Sequence, residues 1–454
     1  MTPVFLWTDI MIWGLFFLLI IGIWQIIKDP QKKAQWRKVF QSKTAMASVI
    51  VLAIYFVIAL IDSTHFKVDH KADSSNNKEL VSVLDLGLEH LINNAERTYS
   101  APFALNEYSS SITYDEQGQV KQVYLPLKHV ANHIDRDNSK VANDVLKQTG
   151  YAFLYSVFFI FLLLVVFRLM IRGKKANTPV KPIDLPIKTA LLTLFIIVFM
   201  GTSFYLLSFD YHVLGTNKVG EDVLYNSLKS IRTGVLIGGL TTIVMLPLAL
   251  ILGISAGYFK GWIDDLIQYF YTTLNSIPGV LLIAAAVLVM QSIMSSHAEW
   301  FGSTEERADM RLLFLILILG MTSWTGLCRL LRAETLKISQ IEYVTAAKAF
   351  GLKPFTIIRK HILPNLVHLI LIALVLDFSG LVLAEAVLSY VGVGVDPTMP
   401  SWGNMINQAR LEMAREPMVW WSLLSAFCFM FILVLAANLF ADRVQWVLNP
   451  RSEK

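Results

Sequence analysis

Two carboxylates, Asp377 and Glu385, stand inside the otherwise apolar run 366–391. An ionised carboxylate at the centre of a bilayer costs roughly 3 kcal/mol on insertion scales, so such a group faces a cavity or a partner. Eight residues apart, the two share one face of a helix. Glu385 reads equally as the lining of a pathway or as the partner of a polar group on a neighbouring helix, and for Asp377 pairing is preferred. His129 and His133 stand four apart with Asp135 nearby, a spacing that can hold a metal on a helix. Lys128 and Asn132 surround them and no third ligand is fixed, so a solvated face is expected and no metal site is assigned. The chain contains no G-x-x-x-x-G-K-[ST], no H-E-x-x-H and no G-x-S-x-G. It has no P-loop with which to cradle ATP phosphates, and neither catalytic residues nor a cofactor is expected.

The elements that position these groups are membrane helices. Hydrophobic residues make up 55% of the chain and charged residues 16%, with a mean hydropathy of +0.55, unusual for a soluble globular protein. The net charge of +5 is spread over short loops and forms no basic stripe with interleaved aromatics, so nucleic acid is not an expected partner. Cys328 and Cys428 both fall in apolar runs and read as reduced core residues.

The first apolar run, 11–27, is followed by Lys28, Lys32 and Lys33, whereas a secretory signal peptide carries its charges in front. It reads as a retained anchor with its N-terminus outside the cytoplasm. The expected organisation begins with 1–61, two transmembrane helices joined by a basic cytoplasmic loop. Residues 62–150 form a small extracytoplasmic α+β domain, with an amphipathic helix over 80–91 and a hairpin pairing 112–114 with 120–125. A third span occupies 151–175, a cytoplasmic linker with three prolines 176–186, and a further unit 187–454. That unit has six candidate spans near 189–209, 234–258, 277–294, 312–330, 366–391 and 418–441, each close to the length needed to cross. The fold class is therefore an all-α polytopic membrane protein of about nine transmembrane helices, N-out and C-in, with a small α+β domain. Trp7, Trp13, Trp24, Trp300, Trp402, Trp420 and Trp421 lie near span ends and read as interfacial anchors.

Between two spans lies 342–365, EYVTAAKAFGLKPFTIIRKHILPN, whose lysines and arginine place it on the cytoplasmic side. Its alanines favour helix, Gly351 ends it, Pro354 suits the start of a second helix, and Pro364 is expected to stop that one. The segment resembles the EAA loop of ABC-importer permeases. Ala346, Ala347, Gly351, Leu363 and Pro364 match in register, while Thr345 holds the Glu position and His361 the Ile position. Glu342 lies one turn before Thr345, as in the peptide-importer branch.

Two further stretches resemble that branch. In 212–224, HVLGTNKVGEDVL, Leu214, Gly215, Thr216, Gly220, Asp222, Val223 and Leu224 agree with its loop after the first core helix. Asn217 and Glu221 replace an acid and a base, so a salt bridge between those positions is not expected. In 385–405, EAVLSYVGVGVDPTMPSWGNM, Gly392, Gly394, Ser401, Trp402 and Gly403 fall where the branch has its G-L-G and P-S-W-G run. This stretch reads as a helix end followed by a re-entrant extracytoplasmic loop beside the translocation path.

The resemblance implies a type I ABC-importer permease core of six helices for di- and oligopeptides, in the bacterial inner membrane. Relatives in this branch also carry nickel chelates and antimicrobial peptides. It further implies a heterodimer with a second, homologous permease, two cytoplasmic ABC ATPases that bind the ATP, and an extracytoplasmic peptide-binding protein, all set in membrane lipid. Glu342, Thr345, Ala346, Ala347, Gly351, Leu363 and Pro364 would couple to the ATPases, and Glu385 and Asp377 would line the pathway and meet the substrate's amino terminus. A secondary transporter would need its own ion site in repeated halves, and no such repeat is seen. A membrane sensor could use 62–150 to bind ligand but has no need of an EAA-like loop. The resemblance leaves the first 180 residues uncovered, so a chain beginning near Lys181 is expected still to insert and to bind the partner permease and ATPases.

Overall fold

The computed structural model describes residues 2–68, 79–114, 120–131, 138–172, 185–301 and 303–448. Among the described residues nine helices are long and apolar enough to cross a membrane. The chain opens with β1 (Thr2–Val4), α1 (Trp7–Lys28), α2 (Pro30–Phe40) and α3 (Lys43–Asp62). Asp29 caps α2 by accepting from Gln31 N at 3.0 Å, with Pro30 at the first helical position, so the first two spans turn back sharply. The inserted segment carries β2 (His65–Val68), β3 (Glu79–Ser82), α4 (Val83–Gly87), α5 (Glu89–Asn93), β4 (Ser111–Tyr114) and β5 (Val120–Val123). After α6 (Asn138–Arg172) and α7 (Ile187–Leu207) come α8 (Val223–Phe259), α9 (Trp262–Ser276), α10 (Gly279–Ser296) and α11 (Thr304–Ile338). The chain ends with α12 (Glu342–Ala349), α13 (Pro354–Ile357), α14 (Leu363–Tyr390), α15 (Trp402–Glu412) and α16 (Trp421–Leu448).

The insert departs from expectation in one place. Residues 80–91 do not form one amphipathic helix: Glu79–Ser82 pairs antiparallel with His65–Val68, and β2 in turn pairs with β1. Ser82 then starts the short helix α4 through a capping box with Asp85, and the equally short α5 follows. Strand pairing satisfies backbone groups that a short isolated helix would leave to water. The expected hairpin strands do pair, Ser111 opposite Val123, while 115–119 lie outside the described residues. Most of the linker 176–186 lies outside them too.

The N-terminal unit is not a separate body. α3 packs on α8 and α16, α1 packs on α8 and α11, and Ile12, Tyr55, Ala59 and Leu60 share one core with Leu236, Leu315 and Trp402. Arg232 of α8 is 5% exposed. Its guanidinium donates to Asp9 Oδ1 at 2.7 Å, to Thr8 Oγ1 at 2.9 Å and to Ser63 Oγ at 3.0 Å. Asp309 of α11 lies 3.7 Å from it and accepts from Thr8 N and Thr8 Oγ1. His65 Nδ1 meets the other Asp9 oxygen at 2.8 Å. A chain starting near Lys181 would leave Arg232 and Asp309 buried without Asp9 and Thr8, which argues against the expectation that it inserts and assembles without the first three helices.

Two more expectations change. Trp402 and Trp421 are each 1% exposed and act as core residues, whereas Trp7, Trp24, Trp300 and Trp420 are exposed as anchors would be. Cys328 is buried, but Cys428 is exposed on the outer face of α16, where it is apolar surface and not core.

Because removing one partner of a buried ion pair strands the others, Arg232→Met is expected to lower the unfolding free energy by about 3–5 kcal/mol. The check is the melting midpoint of the full chain in detergent. A midpoint within error of the parent would show that the network does not tie α1 to the core.

Candidate functional site

The 342–365 segment folds as a helix, a left-handed turn and a second helix. α12 closes with Leu352 N donating to Ala347 O at 3.2 Å and Gly351 N to Lys348 O at 2.9 Å, a Schellman pair. Gly351 takes φ +74°, which an L side chain rarely adopts. Pro354 begins α13, and the chain stays helical through a π segment, Ile358–Ile362, into α14. Pro364 therefore does not stop the helix as expected. The π turn shifts the hydrogen-bond register just before it, and the missing N–H falls in the first turn of α14.

The two faces of α12 differ. Val344 and Ala347 are buried with Ile357, Ile362 and Leu366 in a core that also holds Tyr258 and Leu331. Ala347, expected on the docking face, points into the chain at 6% exposure. Glu342, Thr345, Ala346, Ala349 and Gly351 are exposed, Leu363 is half-buried and Pro364 exposed. Phe350 and Phe355, missed in the sequence, stand out at 86% and 72%. The element is braced by Lys348 over the Tyr258 ring at 4.6 Å and by Asn365 Nδ2 donating to Tyr343 OH at 3.0 Å. Beside it, Arg332 of α11 forks onto Asp264 of α9, Nη2 to Oδ2 at 2.7 Å.

At the opposite pole, 212–224 is gripped by the insert. Gly215 and Gly220 have φ +72° and +82°. A Cβ on Gly220 would lie 1.8 Å from Glu96 O, and one on Gly215 2.5 Å from Ser100 O, so only glycine fits. Thr216 Oγ1 accepts from Ser100 N at 2.6 Å and donates to Thr98 O at 2.9 Å. Asp222 caps α8 through Leu224 N at 2.7 Å. Asn217 and Glu221, expected to form no salt bridge, hydrogen bond instead, Nδ2 to Oε2 at 2.9 Å.

His212 fastens this contact. Its Nδ1 meets Asp222 Oδ2 at 2.8 Å and its Nε2 lies 3.9 Å from Glu96 Oε1. Burial pushes the imidazole down, but the hydrogen bonds and charges of Asp222 and Glu96 outweigh it and carry the pKa up to about 9. Burial likewise raises Glu96, and is outweighed by His212 and the N–H groups of Lys128 and His129, which bring it to about 2. His129 thus contributes a backbone donor, while His133 and Asp135 lie outside the described residues.

The third stretch is a packed corner. Ser389 Oγ donates to Glu385 Oε1 at 2.8 Å, and a Cβ on Gly403 would lie 2.7 Å from that same oxygen. Gly394 is pressed on Ser389, and Gly392 turns the chain at φ +85°. Ser401 caps α15, and Trp402 Nε1 donates to Ser227 O at 3.2 Å. Glu385 is 3% exposed and belongs to this corner, hydrogen-bonded to Ser389 of its own helix. Asp377 is half-buried with no side-chain hydrogen bond among the described residues, against the pairing preferred for it.

Comparison with known proteins places these features in a family of membrane permeases. Residues 249–454 match the family described as binding-protein-dependent transport system inner membrane component. The glutathione transport system permease protein GsiD of Pectobacterium atrosepticum is 30% identical over 240 residues, 53% of this chain and 73% of that protein. The dipeptide permease DppC of Bacillus subtilis is 28% identical over 53% of this chain and 69% of its own length. The oligopeptide permease OppC of Haemophilus influenzae is 29% identical over 53% and 71%. The chain belongs to the permease subunits of dipeptide/oligopeptide-type ABC importers, multi-pass proteins of the inner membrane.

The pH dependence of the insert's grip follows from two shifts of opposite sign. His212, raised from 6.5 to about 9, contributes fully below pH 6.5, and its contribution is lost as pH rises through 9. Glu96, lowered from 4.5 to about 2, contributes fully above pH 4.5, and its contribution is lost as pH falls through 2. Resistance of the insert to limited proteolysis is expected to be flat between these limits and to weaken above pH 7, by on the order of 3 kcal/mol at full loss of the His212 contribution. His212→Gln should remove the alkaline limb; an unchanged limb would place the titration elsewhere.

Proposed function

We propose that this chain is half of the translocation pathway of an ATP-driven importer of di- and oligopeptides, paired with a second, homologous permease. Two ABC ATPases would dock on α12, and an extracytoplasmic binding protein would deliver the peptide at the pole of the insert. The N-terminus then lies outside and the C-terminus in the cytoplasm, in keeping with the basic residues of α2 and of 342–365. ATP is bound and split by the partner subunits.

The observation that carries this reading is the two-faced α12. Its inner face is locked into the same core as α8, α9 and α11, while Ala346, Ala349, Phe350 and Phe355 offer a small-residue surface flanked by two exposed aromatic rings. Exposed aromatics beside small residues suit an anchor-in-groove contact with a rigid partner. The relatives named for glutathione, dipeptides and oligopeptides support a short peptide as cargo. Asp377, half-buried and without a hydrogen bond among the described residues, is the better candidate for the pathway surface; Glu385 holds the corner that shapes it.

Ala346→Arg and Phe350→Ala are expected to leave the chain in the membrane with its melting midpoint unchanged. Bulk or loss of an anchor costs about 1–3 kcal/mol at such contacts, so peptide uptake should fall roughly tenfold or more. Ala347→Arg should instead lower the midpoint, because its side chain is inside. Uptake at the normal rate by both Ala346→Arg and Phe350→Ala, with ATPases still attached, would remove α12 as the docking element.

A further inference from the structure

A cavity of about 320 Å³ lies between the N-terminal unit and the core. Asp62 and Asp85 of the N-terminal unit line it together with Lys229, Arg232, Glu305 and Asp309 of the core. Four carboxylates therefore face two fixed cations, and both cations are already engaged. Lys229 Nζ donates to Asp85 Oδ1 at 2.5 Å and to Tyr225 OH at 3.1 Å, and Arg232 is spent on Asp9, Thr8 and Ser63. Asp62 is 1% exposed. Its Oδ1 accepts from Ser82 Oγ at 2.7 Å and lies 4.0 Å from Lys229 Nζ. Among the described residues its Oδ2 has no hydrogen-bond partner.

A buried acceptor without a donor, in a cavity with a surplus of negative charge, favours a ligand that brings N–H donors and positive charge together. The carboxylates are spread round the walls, and among the described residues no three His, Cys, Asp or Glu side chains gather as a metal would need. An organic ammonium, with three donors on one centre, fits better. The volume stands at the lower end for ligand sites, enough for a molecule of dipeptide size.

We propose that this cavity binds the primary ammonium of a small amine through Asp62, and that the amine is the amino terminus of a short peptide. The choice of peptide rests on the permease reading above; the ammonium site itself does not. Asp62 and Asp85 belong to the N-terminal unit, so the site exists only because that unit is fused to the core. The added helices thereby gain a role in receiving cargo.

The test uses the full-length chain in nanodiscs without ATPases, titrated with dialanine, N-acetyl-dialanine and n-butylamine. Dialanine should bind saturably. Acetylating its amine, or Asp62→Asn, should weaken binding by about tenfold or more, the worth of one charge-assisted hydrogen bond. The acetylated ligand is read on the unaltered chain, so a folding defect in the variant cannot imitate the result. Absence of saturable dialanine binding, or binding indifferent to acetylation, overturns the site. Butylamine binding as tightly as dialanine would support the ammonium site and overturn its assignment to peptide. Uptake by the complete transporter is measured in parallel. Normal ATP-driven dipeptide uptake without nanodisc binding overturns the site alone, whereas absence of any such uptake counts against the permease reading.

Discussion

A guanidinium buried out of reach of solvent has to be answered by the protein. Arg232 could not be carried on α8 at 5% exposure unless acceptors converged on it, and they come from sequence as distant as Thr8 and Asp309. Satisfying it fixes where α1 enters, where α3 ends at Ser63, and how α11 stands beside α8. The same demand draws β1 against β2, because the chain must present Thr8 and Asp9 to the core and His65 to Asp9. One desolvated charge thus sets the assembly of one pole, and the apolar packing of Tyr55, Ala59 and Leu60 fills in around it.

The insert is held by a different device, close backbone approach. Glu96 N donates to Gly220 O at 2.9 Å and Thr216 N to Ser100 O at 3.1 Å. Contacts that short require residues without a Cβ at 215 and 220, so the glycines that mark the loop are consumed by the insert's docking. Trp421 completes the joint, donating to Thr216 O at 3.0 Å with its edge on Tyr108 of the insert. A tryptophan whose N–H and ring are both engaged in this way is core material, which is why it does not sit at the membrane interface as its place in the chain suggested.

What the sequence made legible follows the physics of each signal. Apolar runs near the span length map onto the observed helices because a bilayer admits little else. Gly351 was legible as a helix stop because the left-handed turn selects for glycine. The inward aim of Ala347 was not, since alanines on both faces of α12 look alike until Val344 and Ile357 show which side is packed. Nor was the pairing of Arg232 with Asp9, because partners more than 200 residues apart leave no local pattern. Passage of the helix through Pro364 was hidden for a related reason: a π turn is a register shift, and composition does not encode it.

The two poles are linked by α8 and α11, which lie against each other over most of their length. A Cβ on Gly253 would lie 2.8 Å from Cys328 O, one on Gly257 2.7 Å from Arg332 O, and one on Gly320 2.6 Å from Val244 Cγ1. Small residues at such crossings let backbones meet and leave no room to slide. α11 runs 35 residues, about 50 Å at helical rise, from Asp309 at the Arg232 network to Arg332 on Asp264 beside α12. Each end is tied by an ion pair and the middle by glycine contacts. On the proposed function, a displacement imposed at α12 therefore cannot be absorbed within the α8–α11 pair. It would reach the Asp62 cavity, because Glu305 and Asp309, which line that cavity, stand at the far end of α11.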